Sequence, residues 1–92
     1  MSVSKGYKQG VSITTAKTLA TAVGGGGIPN GSTIAVCQAE AQALRYRDDG
    51  TNPTASVGML LNVGDIVEFD KDLNALTFIE VATGAKLNVT FY

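Results

Sequence analysis

The chain has no histidine and no tryptophan, a single cysteine, two prolines and only three Phe and three Tyr. Without histidine the commonest general base and metal ligand is missing, which excludes Ser-His-Asp and Cys-His nucleophilic centres and His-based metal sites. Cys37 stands alone, so no disulfide forms within the chain, and an unpaired thiol fits synthesis in a reducing cytosol. It lies in an apolar strand with no cation beside it in sequence, and a buried, inert thiol is expected rather than a nucleophile. No segment approaches the roughly 20 apolar residues of a membrane span, and Met1 to Gly10 lacks the apolar run of a signal peptide. Charge of one sign is also absent: seven basic and eight acidic residues give a net −1 with no long run. Nucleic-acid binders usually show a basic patch or stripe, so nucleic acid is not expected as the main partner.

What is present is aliphatic and β-branched. Ninety-two residues, 45% of them hydrophobic, make one domain, and folding at that size buries only roughly 60–65% of the unfolded surface. Val, Ile, Leu and Ala must fill most of a thin core, so outside partners matter for stability. Residues 1–10 read as a polar N-terminal arm, and residues 11–92 as a single β domain with a glycine-rich loop at 24–31. Val11, Ile13 and Leu19 fall on one face at period two, a first strand over 11–19. Thr33, Ile34 and Val36 favour a pleated strand. From Ala39 to Arg45 helix propensity is good, yet a strand or strand-bulge-strand is favoured, because sheet pairing overrides a weak propensity. Short strands follow near Val57–Val63 and Ile66–Phe69, and a mostly apolar one from Leu76 to Val81. In the last strand Leu87, Val89 and Phe91 face one way, and Lys86, Asn88, Thr90 and Tyr92 the other. The pattern predicts an all-β, single-domain β-sandwich or barrel of about six to eight short strands.

Three apparent chemical motifs fail on inspection. Gly26, Gly31, Ser32 and Thr33 approach a phosphate-binding loop, but Ser32 occupies the lysine position and a β-branched strand follows where a helix is needed. Asp70, Asp72 and Asn74 copy the first ligand positions of a calcium loop, but Ala75 replaces the turning glycine and Val81 the closing glutamate. Asp65, Glu68, Asp70 and Asp72 supply carboxylates without an evident cleft, and solvated strand ends explain them at lower cost. No catalytic residue, metal or cofactor is expected, and the chain is not expected to be an enzyme.

The densest signal is Ala43-Leu44-Arg45-Tyr46-Arg47-Asp48-Asp49-Gly50-Thr51-Asn52-Pro53-Thr54. In an extended chain Leu44 and Tyr46 share one side, and Arg45 and Arg47 the other. Asp48-Asp49-Gly50 tolerates turn geometry, and Pro53 stops a central strand from continuing. The arginines either pair with acidic neighbours or contact a partner carboxylate. Arg45, Tyr46, Arg47, Asp48 and Asp49 are therefore candidate protein-interface residues, with Tyr7 on the N-terminal arm as a second candidate. The alternative is that Tyr46 belongs to the core and the charges to solvent.

Two blocks, Gln38 to Leu61 and Phe78 to Tyr92, resemble a family of small structural proteins of tailed bacteriophages, with their order and approximate spacing kept. Residues 1–31 fall outside the resemblance. The resemblance implies a non-enzymatic, β-rich virion component, made in the host bacterial cytoplasm and placed on the outer capsid surface. As a decoration or cement protein it would bind the major capsid protein lattice and associate with itself as a homo-oligomer, a trimer being one form. The alternatives are a tail or neck accessory protein and a virion-surface carbohydrate-binding module. The last would need an aromatic platform drawn from Tyr7, Tyr46 and Tyr92.

Overall fold

A computed structural model of the chain describes residues 3–92. Its eight strands are β1 (Gly6–Ser12), β2 (Lys17–Thr18), β3 (Ala35–Glu40), β4 (Leu44–Arg47), β5 (Met59–Leu61), β6 (Ile66–Phe69), β7 (Thr77–Glu80) and β8 (Lys86–Phe91). They form two four-stranded antiparallel sheets, ordered β1-β8-β3-β6 and β2-β7-β4-β5. The two orders match position for position, since β1 runs into β2, β7 into β8, β3 into β4 and β5 into β6. Each strand of one sheet thus leads through a short turn into the strand at the same position in the other, and the two sheets face each other as a sandwich. Backbone pairing continues around the bends: Glu80 N donates to Ile13 O at 3.0 Å, Val81 N to Ala43 O at 3.1 Å and Gly64 N to Ala39 O at 2.8 Å.

The conflict over residues 39–45 resolves at such a bend. β3 ends at Glu40, Ala41 takes φ 72°, and Gln42 N donates back to Glu40 O at 2.9 Å, a three-residue γ-turn. β4 then starts in the opposite sheet. Good local helix formers yield here because both flanking strands gain full ladders, β3 with β6 and β8, β4 with β5 and β7.

The inner faces supply the core. Ala35, Cys37 and Ala39 from β3 meet Leu87, Val89 and Phe91 from β8, while Leu44, Leu61 and Phe78 come from the other sheet. The β8 alternation expected from sequence places Leu87, Val89 and Phe91 inside. Tyr46, Phe69 and Phe78 form an aromatic group, with Tyr46 and Phe69 edge-to-face at 5.0 Å.

Residues 3–23 differ from expectation, Met1 and Ser2 of the arm lying outside the described residues. The polar arm read over 1–10 is a strand from Gly6 onward, paired with β8. As an edge strand with most side chains in solvent, β1 needs backbone pairing but no apolar alternation, so the pattern does not announce it. The single strand read over 11–19 is also broken. β1 stops at Ser12, β2 is two residues long, and Leu19–Val23 is a one-turn helix, α1. Thr18 caps it, its hydroxyl accepting from Thr21 N at 3.2 Å, and Gly24 ends it at φ 65°. Val11, Ile13 and Leu19 still reach one core. The glycine-rich loop follows α1 and returns the chain to β3.

The bends define one end of the sandwich. The other, open end gathers α1, the β4–β5 loop and a 3-10 turn at Leu73–Ala75. Leu19 N donates to Leu76 O at 2.9 Å and Gly50 N to Ala75 O at 3.2 Å, tying these segments together. Among the described residues no helix is long and apolar enough to cross a membrane.

Candidate interaction surface

The β4–β5 hairpin holds most of the residues singled out from sequence. Strand alternation turns Leu44 and Tyr46 inward and Arg45 and Arg47 outward, as the pattern requires. Arg45 reaches over the loop it precedes: its Nε donates to Ala55 O at 3.0 Å and its Nη1 to Gly58 O at 2.9 Å. Gly58 permits the approach. A Cβ there would lie 3.1 Å from Arg45 Cβ, 3.1 Å from Pro53 Cβ and 3.2 Å from Tyr46 O, and its φ is +141°.

Arg47 and Asp49 form a two-pronged ion pair. Arg47 Nε donates to Asp49 Oδ1 at 3.2 Å and Nη2 to Oδ2. The same Asp49 Oδ1 accepts from Thr51 N at 3.1 Å. These bonds, from Arg47 first and Thr51 second, hold the Asp49 carboxyl below its ordinary value, and Asp49 in turn raises the Arg47 guanidinium. The loop is anchored further by Thr77 Oγ1 donating to Thr51 O at 2.8 Å, by buried Pro53, and by paired bonds between Thr54 and Val57.

The braced loop encloses one side of a shallow groove of about 290 Å³, lined by Arg47, Asp48, Asp49, Val57, Gly58 and Met59. Val57 and Met59 are 51% and 63% exposed, so exposed apolar side chains stand beside charged ones. Arg47, Asp48 and Asp49 are brought together as the sequence suggested. Arg45 lies beside them as a brace, its Nε and Nη1 bonded to carbonyls of its own chain rather than to acidic neighbours. Tyr46 takes the core alternative, packed against Phe69 and Phe78. Val57 and Met59 were not among the candidates: their link to Arg47 depends on a hairpin whose loop spans eleven residues, and local pattern does not reveal it.

Tyr7 is elsewhere, 55% exposed on the outer face of the first sheet, where its register partner is Thr90. Its hydroxyl donates to Gln9 Oε1. Beside it, Glu40 Oε1 accepts from Gln9 Nε2 at 3.0 Å and from Asn88 Nδ2 at 2.7 Å, and Asn88 Oδ1 accepts from Gly10 N at 2.8 Å. Tyr46 lies against the core of the second sheet and Tyr7 on the outer face of the first, so these two phenols do not share a platform.

Asp65, Glu68, Asp70 and Asp72 are exposed, and among the described residues no group of three His, Cys, Asp or Glu side chains gathers as metal ligands. The segment resembling a calcium loop is a 3-10 turn closed by Ala75 N donating to Asp72 O at 2.8 Å. Cys37 is fully enclosed, and burial pushes its thiol pKa up to about 12. Comparison with family models, with curated proteins and with solved structures finds no match.

Proposed function

We propose that the chain is a non-enzymatic structural protein of a tailed-bacteriophage virion, a decoration protein that binds the outer surface of the assembled capsid and stabilises the major capsid protein lattice. The observation that carries this reading is the braced β4–β5 loop. It presents Asp48, Asp49 and Arg47 beside exposed Val57 and Met59 on backbone already fixed by Arg45 and Gly58. A loop ordered before binding loses little entropy on docking, and exposed apolar groups beside charged ones suit a protein partner. The sequence blocks that resemble phage structural proteins run through β3–β5 and β7–β8, the strands that build this loop and its support.

The mechanism is mass action. A protein that binds the assembled lattice and not its free subunits stabilises the lattice, and symmetry repeats each modest contact over the shell. Labelling the protein in intact particles tests the reading. Signal over the whole shell supports decoration, signal at a single vertex moves the protein to the tail or neck, and particles without signal refute a virion role.

A further inference from the structure

The sandwich has two lateral edges where the terminal strands of both sheets lie, and they carry opposite charge. One edge is β1 with β2, the other β6 with β5. The chain has no acidic residue before Glu40, and Lys5, Lys8 and Lys17 lie on or beside the β1–β2 edge. Four of the eight acidic residues, Asp65, Glu68, Asp70 and Asp72, lie on or just beyond β6, with Lys71 the only base among them. Among the described residues the one ion pair is Arg47–Asp49, so neither set is neutralised within the chain.

From this we infer that copies of the chain associate head to tail, the β6 edge of one copy adding to the β1 edge of the next. Two like edges would bring acid against acid or lysine against lysine, which disfavours a two-fold pairing. Strand direction agrees. In an antiparallel sheet of four strands the two edges run oppositely, so β6 followed by the next copy's β1 continues the antiparallel order. Every copy then keeps the same orientation, with its open end and β4–β5 loop on one side. Exposed apolar groups lie at the same junction. Tyr7 on β1 and Ile66 on β6 are both on the outer face, and Ile66 is 63% exposed. The β-bulge between Lys8 and Val11 limits the new ladder to the start of β1.

The inference deepens the decoration reading by naming the self-association surface, and its test needs no capsid, so either can fail alone. Sedimentation equilibrium of the full chain is expected to show a mass that rises with concentration and falls as salt screens the edges. The variant Lys5→Glu with Lys8→Glu, and the variant Glu68→Lys with Asp70→Lys, should each lose self-association while keeping the native circular dichroism spectrum. An equimolar mixture of the two should associate again, because one now has two acidic edges and the other two basic ones. A wild-type chain that stays monomeric at every concentration overturns the inference. So does an assembly that survives the lysine reversals, or a mixture of two monomeric variants that does not associate.

Discussion

Arg45 and Gly58 fix one another: the guanidinium donates to the Gly58 carbonyl at 2.9 Å, and the missing side chain of Gly58 leaves room for the arginine stem. The pair converts a long hairpin loop into a rigid surface. Gly58→Ala puts a methyl group 3.1 Å from two other Cβ atoms at a φ that L residues avoid. It should cost about 2–3 kcal/mol, the sum of overpacking and backbone strain. Arg45→Ala removes two bonds to carbonyls and should cost about 1–2 kcal/mol. Urea unfolding measures both. A Gly58→Ala change that is neutral would mean that the loop is not held against Arg45.

At the bend between the sheets, Ala41 holds a conformation that glycine adopts more readily. Ala41→Gly removes the steric cost of left-handed backbone, roughly 1–2 kcal/mol, and gives back part of it through a freer unfolded chain. The net expectation is stabilisation by about 0.5–1 kcal/mol. Ala41→Val should destabilise, because β-branching tightens the same clash. A shift of the denaturation midpoint in the opposite direction for glycine would contradict the γ-turn.

Cys37 gives a pH dependence of known sign. Its thiol is held protonated up to about 12 in the folded state, whereas an unfolded cysteine ionises near about 8.5. Below that unfolded value the contribution is fully present. As pH rises above it, the unfolded chain loses the proton first, and stability falls by at most about 1.4 kcal/mol per pH unit until the folded value is passed. Comparing wild type with Cys37→Ala removes the titration of lysines and tyrosines common to both. Their stability difference should shift with rising pH in favour of the alanine variant, and a difference independent of pH would contradict burial of the thiol. Thiol reagents should react with the protein only on unfolding.

The sequence revealed those parts of the molecule where side-chain pattern and backbone agree. β8 was legible because each inward residue is apolar and its neighbours are polar, and β4 because Leu44 and Tyr46 alternate with the arginines. The all-β class followed from such strands and their spacing, with sandwich and barrel both open. β1 was hidden because an edge strand under solvent needs no alternation, and α1 because five residues make a single helical turn, too short to show a 3.6-residue period. At the candidate surface the charged residues stood out in one local run. Val57 and Met59 did not, since what brings them to Arg47 is pairing across a hairpin and a glycine that fits beneath an arginine thirteen residues earlier.

The most direct test is co-sedimentation of the purified protein with mature capsids that lack it, compared with the Asp48→Lys, Asp49→Lys double variant, followed by heating until the shell releases its genome. Saturable binding in many copies per shell, a higher release temperature, and loss of both effects in a double variant that remains folded are the expected results. Absence of saturable binding by the wild-type protein, or equal binding by the loop variant, would contradict a decoration role carried by the β4–β5 loop.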